Sequence, residues 1–204
     1  MASLTITANA VVTSPGDGIT RVLSPGYVRI AKGVIAEVGA GLPPDGADVV
    51  LEDGMLAPGL VDLQVNGYFG HDMVDAGESA WHTVVRGLPR TGVTSFLPTF
   101  ITAPVEVQAE ALRRTRDLLP GLPEEGTRVL GVHLEGPFLS EKRKGAHNAG
   151  FLTDPTPEAI ATLLETGLVK LITLAPERNG ALDAIRTLTE NGVLVSVGHS
   201  DATA

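Results

Sequence analysis

A strand that ends abruptly in a carboxylate constrains the fold of this chain more than any other stretch. Residues 129–138 read V-L-G-V-H-L-E-G-P-F, an apolar run that stops at Glu135 before a Gly-Pro pair. Such a run is typical of a strand covered on both faces, as in parallel α/β sheets. Because side chains alternate along a strand, we expect His133 and Glu135 to point to one side at its C-terminal end, where α/β barrels carry their chemistry. Taken alone, Glu135 is explained at least as well by a hydrogen-bond acceptor that anchors the following loop.

Strands and helices alternate from residue 58 onward, which is the pattern of βα units and a parallel sheet. The predicted strands cover residues 60–65, 95–97, 129–134, 168–175 and 193–197, and the predicted helices cover 78–90, 104–119, 157–167 and 180–191. We therefore predict an α/β fold for residues 58–204, a partial (β/α)8 TIM-type barrel of about five βα units. A closed barrel needs eight strands and typically about 250 residues, so we expect this chain to stop partway through a larger fold.

Residues 1–57 differ from the rest in composition and hydrophobic pattern, and they predict a small, incomplete β subdomain. They are rich in Val, Ile, Gly and Pro, with short alternating runs at residues 4–12, 27–31, 34–38 and 49–51. These runs are typical of short antiparallel strands, and Lys32-Gly33 between two of them predicts a two-residue hairpin turn. So few strands do not close a sandwich, and we expect another part of the protein to complete the subdomain.

Composition and charge exclude several classes of partner. The formal net charge is -9, which argues against nucleic acid and anionic membrane surfaces, because both are bound mainly through Lys and Arg. The absence of cysteine excludes disulfides and thiolate metal sites. Residues 1–15 lack a basic segment before an apolar block, and no apolar run approaches the roughly 20 residues of a membrane span. We expect a cytoplasmic protein.

Polar side chains follow three of the predicted parallel strands at the point where each strand ends. Gln64 closes the first strand with Asn66 on the same face, Glu135 closes the third, and His199 follows the fifth. The carboxyl ends of parallel strands meet at one rim, so we expect these side chains to lie close together. Glu and His suit Zn²⁺, and one further His would make the His₂Glu set of known catalytic zinc sites. Singly, each residue could instead be a hydrogen-bonded strand end or a cap.

Six segments spread in order along the chain resemble the N-acetylglucosamine-6-phosphate deacetylases of the amidohydrolase superfamily. The segments are Ala57–Gly67, Leu97–Thr99, His133–Phe138, Lys144–Asn148, Thr173–Glu177 and Gly198–Thr203. The Pro-Gly-x-x-Asp pattern in the first of them is shared widely among amidohydrolases, whereas His-Leu-Glu-Gly-Pro together with Gly-His-Ser is specific to this branch. The resemblance implies a (β/α)8 barrel with a β subdomain built from both chain ends.

The same resemblance implies a site with one divalent metal ion, for which we expect zinc. It makes Glu135 and His199 metal ligands and places Ala146 and His147 against the sugar. Many amidohydrolases hold a second metal with His-x-His at the end of the first strand, where this chain has Gln64 and Asn66. Neutral amides are poor zinc ligands, so these two residues are expected to be neighbours of a single-metal site.

The implied activity is a metal-dependent hydrolysis that removes acetate from N-acetylglucosamine 6-phosphate and gives glucosamine 6-phosphate. A second metal-binding His, the catalytic Asp and the residues that clamp the phosphate are expected beyond Ala204, so no catalytic residue is assigned in this chain. Residues 1–204 alone are therefore expected to be inactive, and the full-length protein is expected to be a homodimer with a small-molecule amino sugar phosphate as substrate. Two alternatives stay open, an amidohydrolase acting on a cyclic amide and a noncatalytic fragment.

Overall fold

Each of the two units of the chain is organised around one larger sheet. The computed structural model describes residues 3–14 and 16–203, and the units are Met1–Gly59 and Leu60–Ala204. An antiparallel sheet with one parallel strand forms the first unit, and a curled parallel sheet flanked by helices forms the second. Among the residues that the structure describes, no helix combines the length and the apolar character that a membrane span requires.

The first unit is a five-stranded sheet with a small core. Its strands are β1 (Leu4–Thr13), β2 (Arg21–Leu23), β3 (Gly26–Ala31), β4 (Val34–Ala40) and β5 (Val49–Leu56). The first four pair antiparallel in the order β2-β1-β3-β4. The predicted turn at Lys32-Gly33 is confirmed, because Ala31 pairs with Val34 and both turn residues have positive φ, which is the geometry of a tight hairpin.

The prediction that all strands of this unit are antiparallel is wrong for β5. This strand continues to Leu56 and pairs with β1 in parallel, with Ile6 opposite Val49. The eight residues between β4 and β5, Gly41 to Asp48, are too many for a tight hairpin and return the chain to the start of β1. Asp48 is fixed there by reciprocal hydrogen bonds with Thr5, because its carboxylate accepts from the Thr5 amide and its own amide donates to the Thr5 carbonyl.

The second unit alternates strands and helices as its sequence predicts. In chain order the elements are β6 (Leu60–Val65), β7 (Gly67–Tyr68), β8 (His71–Asp72), α1 (Glu78–Gly87), β9 (Val93–Ile101), α2 (Val105–Leu118), β10 (Arg128–Val129), β11 (Val132–Glu135), α3 (Pro157–Leu164), β12 (Val169–Leu174), α4 (Ala181–Glu190) and β13 (Leu194–Val197). The parallel sheet has the order β6-β9-β11-β12-β13, with β10 as a short extension of β11 along β9. The carboxyl ends of these strands therefore share one edge.

Several predicted boundaries shift for local reasons. Helix α1 stops at Gly87 and continues only as a 3₁₀ turn to Thr91, because Pro89 has no N–H to continue the α-helical pattern. The predicted third strand is split at Gly131, whose φ of 144° breaks the pleat. A Cβ at Gly131 would lie 2.6 Å from the Leu168 carbonyl oxygen, so glycine lets β12 approach closely. The predicted N-cap is confirmed, since the Thr156 hydroxyl accepts from the Ala159 amide.

The core of the second unit lies between the sheet and its helices. From the helices come Trp81 and Leu112, and from the sheet come Phe96, Phe100 and Ile172, all almost completely buried. These side chains belong to one continuous apolar cluster whose buried members run from Val65 in β6 to Val193, just before β13. The strand ends that carry the polar residues are therefore anchored on a well-packed base.

Candidate metal centre

Glu135 ends β11, and side chains donate hydrogen bonds to its own carbonyl and to that of the next residue. The Thr102 hydroxyl donates to the Glu135 carbonyl at 3.2 Å, and the Gln108 amide donates to the Gly136 carbonyl at 3.2 Å. Gly136 has a φ of 84°, and a Cβ there would lie 2.1 Å from the Thr102 hydroxyl oxygen. Only glycine allows the chain to turn so tightly at this point. The Glu135 side chain, 14% exposed, is thereby fixed at the rim.

His199 follows β13 and approaches Glu135 from the neighbouring part of the sheet edge. Its backbone has a φ of 50°, which is uncommon for a residue other than glycine. Its Nδ1 lies 2.9 Å from the Arg143 carbonyl oxygen, and because a carbonyl only accepts, Nδ1 carries the proton. In the neutral ring the lone pair is then on Nε2, which lies 3.3 Å from Glu135 Oε1.

His147 comes from the long loop between β11 and α3 and completes the cluster. Its side chain is 8% exposed, and its Nε2 lies 3.9 Å from Glu135 Oε2. The ring packs edge-on against His199 with centroids 4.6 Å apart, and its Nδ1 has no hydrogen-bond partner among the described residues. Burial lowers the pKa of His147 below its ordinary value, although the nearby Glu135 opposes this shift. The lowered pKa favours the neutral ring, in which one nitrogen has a free lone pair and can act as a ligand.

The three side chains suit a divalent metal ion by chemistry and by spacing. One ligand atom from each of Glu135, His147 and His199 lies within 4.8 Å of the others. When the His199 ring is neutral, its Nε2 lone pair and the Glu135 carboxylate are both acceptors 3.3 Å apart, and a cation between them would be attracted by both. Two ligand atoms bound at about 2.1 Å to a tetrahedral Zn²⁺ would be about 3.4 Å apart, which is close to that separation.

His133 lies below this cluster and joins three strands. It is 2% exposed, its Nδ1 donates to the Leu63 carbonyl at 3.1 Å, and its Nε2 accepts from the Thr173 hydroxyl at 2.9 Å. Burial lowers the pKa of His133, which keeps the ring neutral and this tautomer in place. The ring links β6, β11 and β12 directly beneath Glu135, so it stabilises the base of the site.

The structure brings together two predicted ligands and one residue predicted for another role. Glu135 and His199 are adjacent as expected, and His147, which the family resemblance placed against the sugar, lies within ligand distance of both. Ala146 is exposed beside it. Gln64 and Asn66 stand at the end of β6 with exposed side chains. The resemblance instead implies a third ligand from a His beyond Ala204, and no spacing pattern points to His147, because it lies in a loop without regular periodicity.

No protein-family model matches the chain, but several individual proteins do. N-acetylglucosamine-6-phosphate deacetylase from Bos taurus is 44% identical over 155 residues, which are 72% of this chain and 37% of the bovine protein. The deacetylase of the same name from Bacillus subtilis is 34% identical over 207 residues, which cover 98% of this chain and 51% of that protein. The chain thus spans between about a third and a half of the curated relatives it matches.

Solved structures match as well. The N-acetyl-D-glucosamine-6-phosphate deacetylase of Mycobacterium smegmatis, a mutant in complex with N-acetyl-D-glucosamine-6-phosphate, superposes with a TM-score of 0.85 at 32% identity over 100% of this chain and 51% of that one. The curled parallel sheet, with the carboxylate–imidazole cluster at its edge, agrees with part of a TIM-like barrel of the amidohydrolase type. In sequence and fold the chain corresponds to the N-terminal part of the N-acetylglucosamine-6-phosphate deacetylases, which confirms the resemblance of its motifs.

Proposed function

We propose that this chain is the N-terminal part of a metal-dependent deacetylase that removes acetate from N-acetylglucosamine 6-phosphate. The observation that carries the proposal is the group Glu135, His147 and His199 at the shared edge of a parallel sheet, in a chain whose relatives have that activity in their names. In this proposal the curled sheet is the first part of a (β/α)8 barrel with about five βα units. The products are acetate and glucosamine 6-phosphate.

One divalent metal ion, which we propose to be zinc, would be held by Glu135 and His199 with His147 as the third group. Bound there, it would polarise the acetyl carbonyl and lower the pKa of a water molecule toward about 7. Glu135 supplies the only negative charge among the three groups and so compensates half of the charge of a divalent ion. Gln64 and Asn66 offer neutral amides, which supports one metal ion per chain rather than two.

His199 and His147 have different roles in the proposed metal site. The Arg143 carbonyl fixes the tautomer of His199, so its Nε2 lone pair faces the same point as the Glu135 carboxylate. His147 is neutral, and its ring has two nitrogens with different surroundings, of which Nε2 faces Glu135. The same ring can therefore contact the metal ion on one side, while Ala146 and His147 border the space we assign to the sugar.

The remaining parts of the proposal concern groups outside this chain. We assign the catalytic Asp and the phosphate-binding residues to the part of the relatives that the chain does not span, and we propose a homodimer for the complete protein. A phosphorylated sugar carries charge that keeps it from crossing a bilayer, which supports a cytoplasmic location.

The test is acetate release by the protein produced from its complete gene. N-acetylglucosamine 6-phosphate should be hydrolysed, a cyclic amide such as dihydroorotate should not, and a chelator should abolish the activity. Replacing Glu135 by Gln removes the negative charge of the ligand set and should lower kcat/KM at least about 100-fold, since a lost ligand costs more than the 10- to 100-fold of an outer-shell partner. The matched control is Glu190→Gln at an exposed position in α4, which should keep full activity.

Preferential hydrolysis of the cyclic amide, or activity that survives both the chelator and Glu135→Gln, would show that the function is assigned wrongly.

A further inference from the structure

The loop that carries His147 is hydrogen-bonded to the segment that carries His199. We define the site loop as residues 140–147. Its first amide, that of Ser140, donates to the His199 carbonyl at 3.0 Å, and the Arg143 carbonyl accepts from His199 Nδ1 at 2.9 Å. Two hydrogen bonds, one to the His199 backbone and one to its ring, therefore join the site loop to His199 itself.

Asp201 adds a charged connection between the same two segments. Its carboxylate accepts from Lys142 Nζ at 2.8 Å and from Arg143 Nε at 2.9 Å. Both contacts join a carboxylate to a cationic side chain, so each is an ion pair as well as a hydrogen bond. Because Arg143 supplies both the guanidinium for Asp201 and the carbonyl for His199, the ion pair acts directly on the group that orients the His199 ring.

Glu177, which follows β12, anchors Asp201 from the other side. Its carboxylate accepts from the Asp201 amide at 2.7 Å and from the Ser200 hydroxyl at 2.8 Å. Desolvation would raise the pKa of Glu177, but hydrogen bonds from the Asp201 amide, its own amide and the hydroxyls of Ser200 and Ser140 hold it below the usual value. The backbone at Asp201 is thus fixed to the sheet edge, and its side chain is directed at the site loop.

The exposure of these charges indicates what they do. The side chains of Lys142 and Arg143 are 79% and 62% exposed, and that of Asp201 is 25% exposed. Ion pairs of this kind contribute little to the free energy of unfolding and are weakened by salt. Their effect is local, because they restrict a loop whose far end carries His147.

We propose that Asp201 is a positioning residue, whose ion pairs with Lys142 and Arg143 hold the site loop so that His147 and His199 face one cation together with Glu135. The inference rests on the proposed metal site and deepens it by naming what assembles it. Without these ion pairs only the hydrogen bonds of Ser140 and Arg143 to His199 hold the site loop, so an ion bound by all three groups is lost more readily.

The experiment measures Zn²⁺ affinity in the absence of substrate, by competition with a chromophoric chelator. Asp201→Asn keeps the shape and removes the charge, and it should weaken Zn²⁺ binding about threefold to tenfold, the range that one or two exposed ion pairs supply. Asp201→Glu retains the charge and should recover most of the affinity. The control Asp183→Asn removes an exposed carboxylate that is paired with Arg186 on α4, and it should leave the affinity unchanged.

The dependence of Zn²⁺ affinity on salt concentration distinguishes a positioning role of Asp201 from a merely structural one. Raising the ionic strength from about 0.1 M to about 1 M shortens the screening length from about 10 Å to about 3 Å. The affinity of the unmodified protein and of Asp183→Asn should then fall toward that of Asp201→Asn, whose own affinity should change much less. The melting temperature of Asp201→Asn should stay within a few degrees of the original.

Three results are distinguishable. If the protein binds Zn²⁺, Glu135→Gln does not and Asp201→Asn binds normally, the positioning inference is wrong while the metal site stands. If Asp201→Asn loses affinity equally at both salt concentrations and melts much earlier, its role is structural and the inference also fails. If neither the original protein nor Glu135→Gln binds Zn²⁺, the proposed metal site itself is wrong.

Discussion

The two units of the chain bury apolar side chains to very different extents. In the second unit, twenty-three buried apolar residues form one cluster, whereas the corresponding cluster of the first unit consists of Ala8, Val11 and Val28. Large apolar side chains stay exposed in the first unit, such as Ile35 at 67% and Met55 at 61%. Helices cover the parallel sheet, while within its own unit the small mixed sheet has little to cover it.

This difference indicates which unit can hold metal-ligand side chains in fixed positions. Ligand groups must be held to within a fraction of an ångström, which requires supporting residues whose own positions are fixed by packing. Glu135 and His199 end strands that lie on the large cluster, and the buried His133 supports them from below. The first unit has no comparable base, and among the described residues its strands end without such a group of ligand side chains.

The largest effect should come from removing a core side chain of the second unit. Phe100→Ala deletes a completely buried ring from β9 and should lower the free energy of unfolding by about 3–5 kcal/mol. Ile35→Ala in the first unit removes an exposed side chain and should change it by less than about 0.5 kcal/mol. Urea unfolding of both variants measures the contrast. An equal loss in Ile35→Ala would show that the apolar face of the first unit is covered in solution.

A second comparison uses two glycines with the same backbone conformation. Gly136 and Gly41 both have a φ of 84°, but an added Cβ meets the Thr102 hydroxyl at Gly136 and nothing within 4 Å at Gly41. Gly41→Ala should therefore cost only the backbone strain of about 1–2 kcal/mol. Gly136→Ala adds the collision, displaces the Glu135 carbonyl from Thr102 and should weaken Zn²⁺ binding at least about tenfold.

Calorimetric unfolding and Zn²⁺ titration of the two glycine variants provide the measurements. Equal Zn²⁺ affinity in Gly136→Ala and Gly41→Ala would mean that the turn after Glu135 does not control the ligand position.

The smallest expected effect lies in the first unit and concerns pH. The Tyr27 hydroxyl donates to Glu37 at 2.6 Å, and this hydrogen bond to a carboxylate raises the pKa of Tyr27 above its ordinary value near 10. The folded phenol keeps its proton to higher pH than the unfolded one. The associated stabilisation is therefore complete below the unfolded pKa and is lost as pH rises through the folded pKa.

Glu37→Gln should move the phenolate transition of Tyr27 to lower pH, as followed by ultraviolet absorbance. The chain has two tyrosines, and Tyr68 in the second unit serves as the internal reference. An unchanged Tyr27 transition would show that the hydrogen bond to Glu37 is not formed in solution.

Local rules in the sequence predicted much of the fold. The alternation of apolar runs and helical stretches gave the parallel strands in their order, and local chemistry gave the Thr156 cap and the hairpin at Lys32-Gly33. The parallel pairing of β5 with β1 was missed because it depends on a contact between residues more than forty positions apart. Strand propensity does not specify such a partner.

Prediction of the site residues from the sequence has the same limit. Glu135 and His199 could be predicted as neighbours, because strand ends of a parallel sheet meet at one edge. His147 and Asp201 could not, because their positions depend on a loop held by contacts such as the one between Lys142 and Asp201, 59 residues apart. No local pattern marks Asp201 as part of the site, and its ion pairs with Lys142 and Arg143 become visible only when the site loop is folded against it.

The central claim is that Glu135, His147 and His199 bind one divalent metal ion, and elemental analysis with Zn²⁺ titration of the purified protein tests it most directly. We predict one tightly held equivalent per chain, no tightly held metal in Glu135→Gln, and an undiminished equivalent in the matched Glu190→Gln control. Two tightly held equivalents per chain, or a full equivalent in Glu135→Gln, would contradict the assignment of the site.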